Sequence, residues 1–170
     1  MRTLCSILLM CLMTTVTWAQ DKKMTVTSPA FKNNGMIPAR YTCKGMATNP
    51  PLHISNIPKG TPFISIIVQD VDAHYPTGVT HWLVWDIKTN SSTELAIPEN
   101  FNGGIQGLND QNGKGFLGIC PDSGMHHYYF TVYAQDVEMQ VGNKTDRKNL
   151  QSRLEGHILA KAELVGTYKK

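Results

Sequence analysis

Short apolar runs separated by turn-forming residues dominate the pattern along this chain. The runs are rich in valine, isoleucine, threonine and aromatic residues, and clusters of proline, glycine and asparagine lie between them. This pattern is typical of β-strands that pack as a sandwich of two sheets. The run over residues 63–68 is almost entirely apolar, which indicates a central strand covered on both faces. The predicted strands are residues 24–27, 63–70, 81–87, 128–134 and 162–168.

Residues 146–160 follow a helical period instead. An apolar residue recurs there at every fourth position, and most of the side chains between are polar; the recurring residues are Leu150, Leu154 and Ile158. The spacing predicts an amphipathic helix that lies on the sandwich, with Thr145 or Asp146 as its N-cap. Residues 90–118 are rich in glycine and asparagine and have little periodicity, which predicts loops and short turns.

The first residues have the pattern of a secretory signal. Arg2 supplies a positive charge, residues 4–16 form an apolar run, and Ala19 is the small residue that precedes a cleavage site. The run is shorter than the roughly 20 residues that span a bilayer, so stable membrane insertion is not expected. We expect a signal peptide over residues 1–19, one domain over residues 20–170, and a periplasmic or secreted protein.

Charge argues against a nucleic-acid partner. The formal net charge is +3 at pH 7, and lysine and arginine residues form no stripe. Proteins that bind nucleic acids normally present a clustered basic face. We therefore expect no nucleic-acid partner.

The cysteines that remain after signal cleavage are Cys43 and Cys120. An even pair in an exported protein favours a disulfide, and no Cys-x-x-Cys spacing is present to hold zinc. Closing so long a loop would contribute about 4 kcal/mol in the chain-entropy model. Two separately buried thiols are the alternative.

Polar residues at the ends of the apolar runs predict a small pocket. Asp70 and Asp72 are two positions apart, as are His126 and Tyr128, so each pair points to one side of a regular strand. An aspartate beside His81 would orient that ring and favour its charged form, which donates a hydrogen bond outward. With the Tyr128 hydroxyl and backbone N–H groups of residues 118–121, the pocket would offer several donors to a small anion.

Ordered motifs over nearly the whole chain after the leader resemble one family. Asp70-Val71-Asp72-Ala73-His74 precedes Thr80-His81-Trp82, and Gly118-Ile119-Cys120-Pro121 precedes His126-His127-Tyr128. The set resembles the phosphatidylethanolamine-binding proteins, most closely their bacterial Raf-kinase-inhibitor-like branch. We therefore expect an all-β-dominated fold, a Greek-key β-sandwich with one or two peripheral helices that include the C-terminal amphipathic helix.

The resemblance also implies a site for phosphate-like head groups. We expect no metal or other cofactor. The residues that fall on its binding positions are Asp70, His81, Gly118, His126 and Tyr128. The residues expected to support them are Asp72, Trp82 and Pro121. Related exported members with cysteines at these motifs are consistent with a Cys43–Cys120 bridge.

Four residues depart from the family pattern. Val71 and His74 replace prolines, so a rigid proline turn cannot be assumed there. Ile119 and Asp122 stand where relatives carry smaller or proline residues, and the Asp122 charge would weaken anion binding. We expect the changes at Ile119 and Asp122 to alter the pocket mouth.

Two other function classes remain as alternatives. The family offers inhibitors of proteases and other protein partners, and such a role is open here. Asp70, His81 and His126 have the ligand types of a two-histidine, one-carboxylate metal site, but no His-x-x-x-His spacing supports a metal-dependent enzyme. Ser123 has no Gly-x-Ser-x-Gly context for a hydrolase. We expect binding rather than catalysis, with His127 facing away from the pocket.

Overall fold

A computed structural model describes residues 22–170, so the predicted signal peptide over residues 1–19 lies outside the described residues. The described part contains nine β-strands and one α-helix. The strands are β1 (Thr25–Thr27), β2 (Gly35–Met36), β3 (Leu52–Ser55), β4 (Phe63–Asp70), β5 (Val79–Lys88), β6 (Glu94–Ile97), β7 (Ile105–Gln106), β8 (Met125–Gln135) and β9 (Ile158–Lys169). The helix α1 is Arg147–Leu154, and its eight residues are far fewer than a membrane span needs.

The strands form a small and a large sheet that share one core. The small sheet has the order β1-β3-β6, and the large sheet has the order β2-β9-β8-β4-β5-β7. Pairing is antiparallel except between β2 and β9. Val26 and Ile54 of the small sheet belong to the same buried cluster as Val68, Val84 and Phe130 of the large sheet. The predicted all-β-dominated fold with two sheets is confirmed.

Strand β4 is covered on both faces, as its apolar run predicted. Val68 faces the core between the sheets, whereas Ile67 belongs to a second buried cluster on the other face. This second cluster includes Trp85 of β5 and Leu150 and Leu154 of α1. The large sheet is therefore the central layer, and its strand ends carry the polar residues of interest.

The predicted helix over residues 146–160 is too long. The side chain of Asp146 caps α1 by accepting a hydrogen bond from the Asn149 backbone N–H (2.9 Å). The helix ends at Leu154, and Gly156 follows with a positive φ of 80°, which a glycine adopts readily. Ile158 begins β9 instead, because it pairs with Gln135 of β8. Its side chain is exposed there, whereas the helical spacing had placed it on the buried face.

Residues 90–118 also hold more structure than predicted. Within them, β6 pairs with β3, and the two-residue β7 pairs with β5. Strand β3 was not predicted either, although its buried Leu52 and Ile54 alternate with the more exposed His53 and Ser55. These strands have two to four residues, too few to show a clear period among turn-forming neighbours.

Candidate functional site

A cavity of about 930 Å³ lies where β4, β5 and β8 meet loops at the end of the large sheet. Four of the five predicted binding residues line it: Asp70, His81, Gly118 and His126. Pro121, predicted to support the site, also lines it. The structure therefore brings together residues that are far apart in the sequence.

A β-bulge brings His81 into this group. Val68 of β4 pairs with Trp82 and Gln69 pairs with Thr80, so His81 is an extra residue in β5. A bulge re-aims the side chain of the inserted residue. The His81 ring lies edge-on to the Tyr128 ring with 5.3 Å between centroids. The alternation of β5 is thus interrupted at the position that faces the cavity.

Trp82 belongs to the core rather than to the cavity wall. It is fully buried, and its Nε1 donates to Oε1 of Gln106 at 2.7 Å. Its ring lies edge-on to the rings of Phe101 and Phe116. Trp82 therefore supports the site only indirectly, because its packing in the core holds the part of β5 that carries His81.

Asp70 and His126 form a buried pair in the cavity wall. Asp70 pairs with Tyr128 across β4 and β8, so His126 lies diagonally opposite on the same face. The distance from Asp70 Oδ2 to His126 Nδ1 is 2.8 Å, with the residues 3% and 4% exposed. Asp70 Oδ1 accepts the backbone N–H groups of Asp72 (3.0 Å) and Ala73 (3.2 Å). Three donors thus hold one carboxylate in a fixed position.

This pairing favours a charged His126. Burial disfavours the imidazolium, but the hydrogen bond and charge of Asp70 outweigh it, and the net effect raises the pKa of His126. The Ser123 backbone and the Asp122 carboxylate act in the same direction. Since Nδ1 donates to Asp70, the remaining donor of the charged ring is Nε2. Asp122 Oδ1 lies 3.6 Å from that Nε2 on an exposed side chain.

His81 has a different partner from the one predicted. Its Nδ1 lies 2.8 Å from the backbone oxygen of Leu117, not beside a carboxylate. A carbonyl oxygen only accepts, so Nδ1 carries the hydrogen. Burial lowers the pKa of His81, against the opposing influence of the Leu117 carbonyl and the charges of Asp70 and Asp110. The expectation of an aspartate-held, charged His81 is wrong, because Asp70 is engaged by His126.

Tyr128 lies beneath the site. Its side chain is fully buried, and its hydroxyl has no hydrogen-bond partner among residues 22–170. It does not line the cavity. Burial and the nearby charge of Asp70 raise the pKa of its hydroxyl. Tyr128 therefore supports the His81 ring by packing against it, whereas direct contact with a ligand was predicted.

Asp72 also lies outside the cavity wall. Its Oδ2 accepts from the backbone N and from Nδ1 of His127, both at 2.7 Å. Burial opposes ionisation of Asp72, but these bonds from His127 lower its pKa overall. Both side chains are about two-fifths exposed. Asp72 therefore orients His127 on the outer surface, and His127 does not line the cavity, as predicted.

The loop that carries Gly118 is fastened to the segment around Cys43. The predicted disulfide between Cys43 and Cys120 is present, and the two residues are 77 positions apart in the sequence. The backbone N–H of Cys43 donates to Ile119 O (3.0 Å), and that of Ile119 donates to Tyr41 O (3.3 Å). A Cβ on Gly118 would lie 2.6 Å from Ala47 Cβ, so only glycine allows this approach. The pocket loop is thus held at several points.

Several residues of the cavity mouth were missed. Asp110, Lys144 and Asp146 line the cavity, and so does His74, to which no role was assigned. Asp110 Oδ2 accepts the Thr80 backbone N–H at 2.7 Å, next to His81. Asp110 lies in the segment 90–118, which was predicted to be loops and short turns, and nothing in the sequence spacing connects it with His81. With Asp70 and Asp122, aspartates outnumber lysine in the lining.

The hypothetical metal site is not formed by these residues. Within residues 22–170, no three histidine, cysteine, aspartate or glutamate side chains are arranged to hold a metal ion. Asp70 and His126 are bonded to each other, and His81 Nδ1 is bonded to Leu117. The alternative of a two-histidine, one-carboxylate centre therefore lacks its geometry.

Two packed sheets, with a cavity at the strand ends that aspartate and histidine side chains line, define the architecture of this β-domain. The family model for phosphatidylethanolamine-binding proteins matches residues 27–169. The chain belongs to the phosphatidylethanolamine-binding protein family.

Relatives and solved structures agree with this assignment. A UPF0098 protein of Pyrococcus horikoshii is 38% identical over 159 residues, which cover 89% of this chain and 79% of the relative. A crystal structure of a putative phosphatidylethanolamine-binding protein homologue from Chlamydia trachomatis is 33% identical, with a TM-score of 0.79 and coverage of 87% and 98%. Escherichia coli YbcL, described as a new member of the mammalian family, is 29% identical, with the same TM-score and coverage of 88% and 99%.

Proposed function

We propose that the protein is an exported binding or regulatory module whose cavity takes a small phosphate-like anion, such as a phosphorylated head group. The observation that carries the proposal is the buried Asp70–His126 pair in the cavity wall. It fixes an imidazole with a raised pKa, and an imidazolium donates strong hydrogen bonds to anions. The cavity of about 930 Å³ lies within the range of small-molecule sites.

Binding rather than catalysis fits this arrangement. Ser123, the nearby hydroxyl, is exposed and does not line the cavity. Export is proposed from the leader pattern, and the Cys43–Cys120 disulfide is compatible with an oxidising compartment.

A calorimetric titration with inorganic phosphate tests the anion site. His126→Asn keeps a donor toward Asp70 and removes the Nε2 donor, so phosphate affinity should fall by roughly tenfold or more. His127→Ala is the neighbouring control on the outer surface and should change affinity by less than about twofold. Equal losses in the two variants, or no phosphate binding by the unmodified protein, would contradict the proposal.

Inhibition of a protease or another protein partner is the second candidate function. Tyr75 lines the cavity and is 68% exposed, and exposed tyrosines are common at protein interfaces. Native mass spectrometry of protein from its own compartment distinguishes the two. A bound phosphorylated molecule supports the first function, and a stoichiometric protein partner with an empty cavity supports the second.

A further inference from the structure

Two histidines line the same cavity, and one offers it a hydrogen-bond donor while the other offers an acceptor. The Nδ1 of His126 faces the Asp70 carboxylate, and the Nδ1 of His81 faces the Leu117 carbonyl. Neither oxygen can donate, so both Nδ1 atoms carry hydrogen. In a charged His126 ring, Nε2 then donates, whereas in a neutral His81 ring, Nε2 is an acceptor. The protonation states of the two rings therefore decide what the cavity can recognise.

The surroundings of His81 favour its neutral form. The ring is nearly fully buried, with the Tyr128 ring beneath it. Charged His126 opposes a second positive charge, while the charges of Asp70 and Asp110 favour one; burial is the largest influence and lowers the pKa of His81. For His126 the balance is reversed, since Asp70 raises its pKa. The other titratable residues of the lining are His74, Tyr75, Asp122, Lys144 and Asp146.

We propose that the cavity selects anions that carry a proton of their own, above all the monoanions of phosphate monoesters, over sulfate and phosphodiesters. The inference rests on the proposed anion site. An ionised oxygen of the ligand accepts from His126 Nε2, and its P–OH group donates to His81 Nε2. An anion without a proton sets a lone pair against the lone pair of His81, which leaves a buried acceptor unpaired.

The charge of the cavity mouth supports the same selection. Asp110, Asp122 and Asp146 line it together with Lys144. Their carboxylates repel a dianion more strongly than a monoanion. A phosphate monoester has its second pKa near 6, so its monoanion is abundant in mildly acidic solution.

Calorimetric titrations near pH 6 with methyl phosphate, dimethyl phosphate and sulfate test this selection. Methyl phosphate should bind more tightly than the other two anions by on the order of tenfold or more. Its advantage should disappear near pH 8, because the monoester has then lost its proton. Dimethyl phosphate and sulfate have no proton to lose in this range, so their binding should change with pH only through the titratable groups of the protein.

A matched pair of variants assigns the two roles. His81→Asn retains a donor toward the Leu117 carbonyl and removes the Nε2 acceptor, so the preference for methyl phosphate should be lost. His126→Asn retains a donor toward Asp70 and removes the Nε2 donor, so all three anions should bind more weakly. Both substitutions shorten the side chain equally, which makes each a control for the other.

The outcomes separate this inference from the proposed function. Equal affinity of the unmodified protein for the three anions overturns the inference and leaves the anion site standing. Absence of binding to all three overturns both. Should His81→Asn fail to fold, imidazole nitrogen-15 shifts of the unmodified protein decide the question. A hydrogen on Nδ1 of neutral His81 supports the inference, and a hydrogen on Nε2 overturns it.

Discussion

The substitution Asp70→Asn isolates the contribution of the buried carboxylate. In the unmodified protein, the backbone N–H groups of Asp72 and Ala73 donate to Asp70 Oδ1. The amide oxygen of the variant can still accept both hydrogen bonds. The amide nitrogen then faces His126 Nδ1, which must become an acceptor. His126 is thereby held neutral, with its hydrogen moved to Nε2.

The expected cost follows from the bond that is lost. The Asp70–His126 bond is 2.8 Å long between groups that are almost fully buried, and a hydrogen bond to a charged group contributes about 1.5–3 kcal/mol. A loss of about 2 kcal/mol corresponds to a fall in melting temperature of about 4–8 °C for a domain of this size. Part of the loss is recovered, because an amide–imidazole hydrogen bond replaces the original one.

The cost should depend on pH in a defined direction. The folded pKa of His126 is raised above its unfolded value of about 6.5. Stability from this shift is fully present below the unfolded pKa and is lost as the pH rises through the folded pKa. The difference in unfolding free energy between wild type and Asp70→Asn should therefore be larger near pH 6 than near pH 9.

Urea denaturation at the two pH values measures this difference. Asp72→Asn is the matched control, since Asp72 bonds to His127 in a pair that is about two-fifths exposed. Exposed pairs contribute roughly 0–1 kcal/mol, so this variant should unfold close to wild type. Equal destabilisation by the two substitutions, or an Asp70→Asn effect that grows toward pH 9, would refute the reasoning.

Three further predictions concern the disulfide, the helix and the leader. Removing the bridge with Cys43→Ser and Cys120→Ser should cost about 4 kcal/mol and lower the melting temperature, and non-reducing peptide maps of native protein should show the linked pair; free thiols there would contradict it. Leu150→Ala should cost about 2–5 kcal/mol in chemical denaturation, whereas exposed Ile158→Ala should cost little; equal costs would contradict the helix end at Leu154. N-terminal sequencing of exported protein should begin at Gln20, and an intact Met1 would argue against cleavage.

The fold could be predicted where a periodic pattern ran for many residues. The buried strands β4 and β8 and the existence of a helix after Asp146 followed from such patterns. The end of the helix did not, because Ile158 continues the helical spacing although pairing with β8 places it in β9. Strands β6 and β7 were missed because pairing with β3 and β5, rather than their own composition, makes them strands.

The sequence identified most of the residues that form the candidate site, but not which of them bond to one another. Asp70, His81, Gly118 and His126 were identified, and all line one cavity. Which histidine Asp70 holds depends on the register of β4 with β8 and on the bulge at His81, neither of which is visible in one sequence. Asp110 was missed for the same reason, since a loop contact to Thr80 brings it beside His81.

The central claim, that His126 is the donor of an anion site in this cavity, is tested most directly by nuclear magnetic resonance. Imidazole nitrogen-15 signals should be followed in the unmodified protein during titration with inorganic phosphate near pH 6. We predict a saturable shift of His126 Nε2, a smaller shift of His81, and no shift of His53 and His157, which do not line the cavity. A spectrum in which His126 does not respond while phosphate binds would contradict the account.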